Sequence, residues 1–371
     1  MRSNMIAAAA ALASLGAANA GAQQIEPAGL GPLWDAAISP GGTQLATGCE
    51  GANGQAICLY DLEAFEATAV LPGPDGASLA SFFWASDDIL VYTIEMMQRI
   101  NTIDGIEELQ VERPAAFDTR TRENTILLRG RRDIVSGVTI ASLLRDEPDV
   151  LAVELTMESD ERPETGTRLV REPDVRSVLQ RVDLVSGGVG RVFESSLAAT
   201  SQIATDPFGE VYAHVRNQDD GDYEIIAVDG RDQRTILEGR RDGATGVAYV
   251  YGRIPQAEAL GVNVPDQGVR RLDLGTGEVS AFDVSGDPIV DSYRAELVGF
   301  DLQSVIPRQS FLDAELASTQ AALENALGAP SVTLHAWSDD RQVMLVAAHG
   351  GDEPAFYLFD AAAGQLSAFE P

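Results

Sequence analysis

Near its end the chain reads Tyr357-Leu358-Phe359-Asp360-Ala361-Ala362-Ala363-Gly364-Gln365-Leu366: an apolar run, an Asp, a short turn with Gly, and a second apolar run. Related segments lie at Tyr60-Asp61, Phe117-Asp118, Val182-Asp183, Val228-Asp229 and Leu272-Asp273. Apolar runs separated by such turn residues are typical of β-hairpins. One hairpin cannot bury its own apolar face, so the repeat predicts sheets that stack on one another.

A second hairpin pattern precedes these segments, with Ser, Asp, Pro or Gly between two apolar runs. It lies at Ala37–Ala46, Phe83–Tyr92, Leu143–Leu151, Ile203–Tyr212 and Ala336–Leu345. Two hairpins give four short antiparallel strands, which form one blade of a β-propeller. The sequence therefore predicts an all-β fold, a seven-bladed β-propeller of four-stranded antiparallel blades. The fifth blade, at about residues 243–285, and the sixth, from about Ile289, have the weakest pattern.

One helix is predicted before the last blade, from about Asp313 to Leu327. Leucines fall on one face at helical spacing, at Leu312, Leu316, Leu323 and Leu327. Asp313 is suited to cap the start of this helix, and Gly328 and Pro330 to end it. Trp84 and Trp337 occupy equivalent strand ends, which favours core packing over a ligand platform.

The first 22 residues have the features of a signal peptide. Arg2 is followed by an alanine-rich apolar stretch from Met5 to Leu15, and Ala18-Asn19-Ala20 or Ala20-Gly21-Ala22 offers a cleavage site. The apolar stretch is too short to span a bilayer. We expect residues 1–22 to be removed and residues 23–371 to form a single propeller domain, periplasmic or secreted; a retained signal anchor is the alternative.

The two cysteines, Cys49 and Cys58, flank one loop in the first blade. Strand ends that face each other across a hairpin can meet disulfide geometry, and an exported chain favours disulfides. The sequence therefore predicts a Cys49–Cys58 disulfide, with two buried free thiols as the alternative. No histidine is near in sequence, which argues against a metal site at this pair.

The formal net charge is −31, and all 26 basic residues are arginine. Such a charge argues against nucleic-acid partners and anionic membrane surfaces. It is compatible either with a surface that attracts cationic peptides or with a general acidic bias such as high-salt adaptation. The absence of lysine excludes a phosphate-loop lysine, a Schiff-base lysine and a Ser–Lys dyad.

Catalytic and metal-binding patterns are weak. No Gly-x-Ser-x-Gly occurs, and the nearest segment, Gly76–Ala80, precedes a predicted strand. The acidic turn Asn217–Asp222 lacks EF-hand spacing, so a plain hairpin turn is favoured over a cation site. The histidines are expected to be structural: His214, His335 and His349. Several arginines either clamp a carboxylate or pair with local acids: Arg129, Arg131, Arg132, Arg240 and Arg241. We predict no catalytic residue, no cofactor and no metal ligand in this chain.

Three segments resemble the N-terminal β-propeller of secreted bacterial serine peptidases of the prolyl oligopeptidase family. They are Trp34–Gly42, the helix segment from Phe311 to Leu327, and the last blade from Val332 through Asp360. In that family the propeller gates access to an α/β-hydrolase domain that holds the Ser, Asp and His. The chain ends at Pro371, where that domain would begin, so the resemblance assigns no catalytic residue here.

The resemblance implies a non-catalytic exported propeller that binds peptide or protein, with a separately encoded α/β-hydrolase as one possible partner. A second hypothesis is that the chain is the N-terminal fragment of a serine peptidase. A third is an envelope protein-interaction scaffold. None of the three involves nucleic acid or a membrane span.

Overall fold

The computed structural model describes residues 35–51, 54–73, 77–102, 105–128, 134–158, 175–195, 200–218, 221–241, 246–351 and 353–369. The predicted signal peptide lies outside this part of the chain. The chain divides into two compact units. One comprises Met1–Asn124, Val284–Ile289 and Val298–Pro371; the other comprises Thr125–Asp283 and Val290–Leu297.

Five sheets are four-stranded antiparallel meanders. The first has strands β1 (Ala36–Ile38), β2 (Gln44–Gly51), β3 (Gly54–Asp61) and β4 (Glu66–Pro72). The second has β5 (Ala77–Trp84), β6 (Ile89–Thr102), β7 (Gly105–Asp118) and β8 (Glu123–Ile126). The third has β9 (Ile134–Ser142), β10 (Val150–Glu158), β11 (Val175–Asp183) and β12 (Val189–Ser195). The fourth has β13 (Thr200–Thr205), β14 (Val211–Asn217), β15 (Asp222–Asp229) and β16 (Asp232–Arg240). The last has β24 (Ser331–Trp337), β25 (Val343–His349), β26 (Ala355–Asp360) and β27 (Gln365–Phe369).

The remaining strands form one seven-stranded sheet. It contains β17 (Tyr249–Arg253), β18 (Ala259–Val264), β19 (Gly268–Asp273), β20 (Val279–Ser280), β21 (Asp287–Asp291), β22 (Glu296–Leu302) and β23 (Arg308–Phe311). Strand β17 meets β22 at a single parallel bridge between Arg253 and Glu296. The described chain therefore has six sheets, and the predicted count of seven blades is not confirmed.

Neighbouring sheets bury their facing sides against each other within each unit. In the first unit, Leu59 of the first sheet and Trp84 of the second share one core, and Leu45 of the first sheet packs with Leu345 of the last. In the second unit, Val215 of the fourth sheet packs with Leu260 of β18. These stacked antiparallel meanders, with one helix, are consistent with a β-propeller.

The helix, α1 (Ala314–Leu327), has the predicted boundaries. Asp313 Oδ1 accepts hydrogen bonds from the backbone amides of Glu315 and Leu316, and Gly328 ends the helix in the left-handed conformation. Buried Leu316 and Leu323 pack on the last sheet. No helix among the described residues has the length and apolar character needed to cross a membrane.

Candidate binding site

The Asp of the sequence repeat shapes a hairpin turn. Asp61 Oδ1 accepts backbone hydrogen bonds from Glu63 and Ala64 at 2.9 and 2.8 Å. Equivalent side-chain-to-backbone bonds occur at Asp118, Asp183, Asp273 and Asp360. Asp229 differs, because it pairs directly with Asp232 across a tighter turn. The Asp residues of the repeat are therefore used for turn geometry.

The fourth residue after each of these five aspartates has a positive φ. Glycine fills the position in three hairpins, at Gly187, Gly277 and Gly364. In the first and second sheets it is Phe65, with φ 56°, and Arg122, with φ 60°. A residue with a Cβ is strained in this left-handed region. Phe65 packs against the core, whereas Arg122 is exposed.

Those two turns border a cavity of about 290 Å³, the turn groove. Its lining residues all belong to the first and second sheets: Thr43, Gln44, Asp61, Thr68, Thr119, Arg120 and Arg122. Arg122 Nη2 donates to the Thr68 carbonyl at 3.4 Å. The strained backbone at Arg122 thus places a guanidinium at the groove wall.

Arg120 carries the second guanidinium of the turn groove. Its Nη1 lies 3.5 Å from Asp88 Oδ2 and its Nη2 lies 3.4 Å from Asp118 Oδ2, with the side chain 58% exposed. Burial raises the pKa of Asp118, but hydrogen bonds from the Arg120 side chain and from the Thr121 and Arg120 amides together hold that pKa below its usual value. Asp118 is therefore ionised at neutral pH and orients Arg120.

The floor of the turn groove is held by Gln44. Its Nε2 donates to the Asp87 carbonyl at 2.6 Å and lies 3.3 Å from Thr119 Oγ1. Thr119 Oγ1 in turn donates to the Asp88 carbonyl at 3.2 Å. The groove thus combines two guanidinium groups, one carboxylate at Asp61 and several hydroxyls, the groups that bind carboxylates, amines and peptide amides.

Two of the three histidines meet in the last sheet. Thr333 Oγ1 lies 3.1 Å from His335 Nε2 and 2.8 Å from His349 Nε2. Surrounding protein disfavours the imidazolium and, with His349 beside it, lowers the pKa of His335 to about 4, although the residue is exposed. Burial also lowers the pKa of His349. Both rings are neutral at pH 7.

His214 lies apart from that pair, in β14 of the fourth sheet. It is 4% exposed, and burial and Arg216 lower its pKa. Trp84 and Trp337 are core residues, as predicted: Trp84 is 1% exposed and donates Nε1–H to the Ala37 carbonyl at 3.0 Å, and Trp337 packs on Phe311.

Cys49 and Cys58 form the predicted disulfide, with Cα atoms 6.1 Å apart. It crosses the β2–β3 hairpin diagonally, because Cys49 pairs with Ala56 and Cys58 with Thr47.

In the acidic turn, Asp222 lies 3.7 Å from Arg240, which agrees with local pairing of that arginine. Asp219 and Asp220 lie outside the described residues. So do Arg129, Arg131 and Arg132. Ser78 is a strand residue of β5, not a nucleophile elbow.

Side-chain amides join consecutive sheets, a feature that sequence reasoning missed. Gln202 donates Nε2–H to the Val250 carbonyl and accepts from the Val250 amide, both at 2.8 Å. Gln309 does the same to Leu334, at 3.2 and 2.7 Å. Asn217 binds Ala248 in this way, and Gln55 accepts from the Leu79 amide. We call each such contact an amide clamp; its partner lies in, or just before, the first strand of the following sheet.

Glu154 makes a comparable contact with one oxygen only. Its Oε2 accepts from the Ile203 amide at 3.0 Å, joining the third and fourth sheets. Its Oε1 is buried and has no hydrogen-bond partner among the described residues. Burial raises the pKa of Glu154, although bonds from Ile203 and Ser177 oppose the shift.

No protein-family model and no curated protein matches the sequence. Three solved structures illustrate its similarity in fold. TolB from Acinetobacter baumannii is 13% identical with a TM-score of 0.38, over 88% of this chain and 82% of TolB. An oligogalacturonate lyase from Vibrio parahaemolyticus is 13% identical with a TM-score of 0.43, over 91% of this chain and 92% of the lyase. A prolyl endopeptidase is 11% identical with a TM-score of 0.36, over 92% of this chain and 41% of the peptidase.

The chain thus spans less than half of the length of that peptidase. At such identities and TM-scores these likenesses do not extend beyond fold class, so they assign no activity to this chain.

Proposed function

We propose that this chain is a non-catalytic, exported β-propeller that binds peptide or protein through the turn groove. The observation that carries the proposal is the placement of Arg120, Arg122 and Asp61 around one cavity, on turns fixed by side-chain-to-backbone hydrogen bonds. Rigid turns that present polar side chains are the usual location of binding residues on such scaffolds.

We also propose that residues 23–371 form one domain of seven blades. Support comes from the seven-stranded sheet, in which β17–β20 alone make a complete four-stranded meander. Its contact with β22 is one bridge, so β21–β23 are best interpreted as an incomplete sixth blade. A three-stranded blade explains why the sequence pattern is weakest there.

Export is proposed from residues 1–22 and from the Cys49–Cys58 disulfide, because disulfides persist in oxidising compartments. The ligand is proposed to carry a free carboxylate, since two guanidinium groups point to anion recognition and Asp61 can accept from a peptide amide. This ligand class agrees with the resemblance to the propeller of prolyl oligopeptidase-family peptidases.

The test uses residues 23–371 and short random peptides, with their carboxyl termini either free or amidated. We expect binding by fluorescence anisotropy that is stronger for free carboxyl termini and at least tenfold weaker in Arg120→Gln/Arg122→Gly. Glycine at position 122 suits the positive φ, so the variant keeps its turn. Arg240→Gln, an exposed arginine of another sheet, is the matched control and is expected to bind normally. Equal binding by all three proteins would exclude the turn groove.

A capture experiment from envelope extract, followed by fluorophosphonate labelling, separates the partner hypotheses. A labelled hydrolase lost from the double variant supports a separately encoded hydrolase partner. Envelope assembly proteins retained without any labelled hydrolase favour the interaction scaffold instead.

A further inference from the structure

His335 and His349 each point their Nε2 atom at the same hydroxyl oxygen. The Nε2 atoms lie 3.1 and 2.8 Å from a single oxygen, Thr333 Oγ1, which belongs to a residue only 5% exposed. The rings come from different strands, β24 and β25, and converge on one face of the last sheet. The convergence thus depends on the folded hairpin.

The position of His335 is set by a bulge, by a side-chain contact to the preceding residue and by a neighbouring ring. Strand β24 has a bulge between Leu334 and Ala336, so His335 is the extra residue, a device that re-aims a side chain. The amide clamp from Gln309 holds Leu334, the residue before it. Phe356 of β26 lies 5.6 Å from the His335 ring. A ring restricted in this way loses less side-chain freedom on binding a ligand than an unrestricted one, even where it must shift slightly.

The Thr333 hydroxyl can hydrogen-bond to both Nε2 atoms only for some combinations of the tautomers of the two rings. Thr333 has a single proton, so it donates to one Nε2 and must accept from the other, which requires opposite tautomers in the two rings. When both rings are Nδ1–H tautomers, two Nε2 lone pairs face the same point. Two convergent imidazole nitrogens are the donor set that Cu²⁺, Ni²⁺ and Zn²⁺ prefer.

We propose that His335 and His349 bind one divalent transition-metal ion through Nε2, with Cu²⁺ bound most tightly. Metal–nitrogen bonds of about 2 Å require the Thr333 hydroxyl to rotate away and each ring to move by about 1 Å. Among the described residues, no group of three or more His, Cys, Asp or Glu is arranged to hold a metal ion, so water completes the coordination. His335 is open to solvent, which gives the ion a path.

The experiment titrates untagged residues 23–371 with Cu²⁺, Ni²⁺ or Zn²⁺ by calorimetry, with electron paramagnetic resonance for copper. We expect one equivalent bound, an order of affinity in which Cu²⁺ exceeds Ni²⁺ and Zn²⁺, and nitrogen coupling from two imidazoles. His335→Gln and His349→Gln each lower the affinity at least tenfold. Glutamine retains a hydrogen-bonding group near Thr333 but removes the imidazole nitrogen. His214→Gln, the remaining histidine, is the control and leaves the affinity unchanged.

Metal binding that is unaffected by both substitutions, or abolished by His214→Gln alone, overturns the proposal. Circular dichroism and the Tm of each variant show whether it is folded. Loss of binding in a folded His335→Gln protein supports the site, while an unchanged titration in the same protein contradicts it.

Discussion

Glu154 is a buried carboxyl at a contact between sheets where other contacts of this kind use amide side chains. Amide side chains at Gln202 and Gln309 both donate to and accept from a strand in the next sheet. Glu154 accepts from the Ile203 amide through Oε2 and leaves Oε1 buried without a hydrogen-bond partner among the described residues. A protonated carboxyl has the same donor and acceptor as an amide, and the raised pKa of Glu154 favours that neutral form.

Glu154→Gln is therefore expected to stabilise the protein at alkaline pH, by about 1–3 kcal/mol, because glutamine removes the negative charge that is buried there when Glu154 ionises. A raised folded-state pKa means that the contribution of Glu154 is complete below its ordinary pKa of 4.5 and is lost as pH rises through the folded value. The gain should thus shrink as pH falls. Urea unfolding at several pH values measures it.

Gln202→Glu is the reciprocal variant and should introduce the opposite pH dependence, with lower stability at alkaline pH. If Glu154→Gln lowers stability at pH 8, or changes it equally at every pH, Glu154 is not used as a neutral acid.

Arg341 is a second buried ionisable residue, and its burial determines how much stability its ion pairs contribute. Its side chain is 0% exposed and its Nη1 lies 2.9 Å from Asp313 Oδ2 and 3.3 Å from Glu315 Oε2, which ties the last sheet to the start of α1. Arg341→Met leaves the buried Asp313 charge without its partner, so we expect a loss of about 3–5 kcal/mol in the free energy of unfolding.

Adding Asp313→Ser to Arg341→Met should restore part of that stability, since serine keeps the helix cap and removes the buried charge. The measurement is a double-mutant cycle by chemical denaturation, in which Arg341→Met, Asp313→Ser and their combination are compared. Additive effects of the two substitutions would contradict the coupling.

At the scale of the hairpin, the fourth residue after the turn Asp has a positive φ, which suits glycine and strains other residues. Gly277 has φ 74°, and a Cβ there would meet the Ile236 carbonyl oxygen at 2.6 Å, so Gly277→Ala should lower stability. Arg122 has φ 60° at the same turn position and is exposed. Arg122→Gly should raise the free energy of unfolding by about 1 kcal/mol. Thermal unfolding of both variants checks the contrast, which fails if Arg122→Gly is the less stable of the two.

The hairpins also show which structural features could be predicted from the sequence. The Asp turns and the caps of α1 were predictable because each is a contact within a few residues. The amide clamps were not, since Gln202 and Val250 are 48 positions apart and nothing local marks the pair. The seven-stranded sheet was not predicted, because strands as short as β20 (two residues) and β23 (four residues) leave only a weak apolar pattern in the sequence.

The histidine pair could have been found from the sequence. The turn after Trp337 reverses the chain, so counting back from it places His349 opposite Ser331, two residues from Thr333. The pairing is visible only when both histidines are placed on the same hairpin, not when each is considered alone. The turn groove was beyond prediction because it joins Thr43 and Arg122 from different sheets.

At the scale of the whole molecule, charge is the dominant property. A net charge of −31 destabilises the compact state by self-repulsion. Raising the salt from 0.1 M to 1 M shortens the Debye length from about 10 Å to about 3 Å, so we expect the Tm to rise by a few degrees. Differential scanning calorimetry measures the slope. Replacing exposed Glu63, Glu66 and Glu123 by Gln should make it shallower; an identical slope would assign the effect to something other than these charges.

The amide clamps have a consequence for how such a molecule changes over evolutionary time. Each of them contacts only backbone groups: the N–H of Leu79, or both the N–H and the C=O of Val250, Leu334 or Ala248. Every residue but proline supplies both groups. The clamped strand can therefore exchange its side chains, within the limits of core packing, while its neighbour still holds it. Substitutions on the clamped strand are thus limited by core packing alone, whereas the glutamine or asparagine opposite must keep its amide, so the clamps leave a few isolated amides in the sequence rather than a motif.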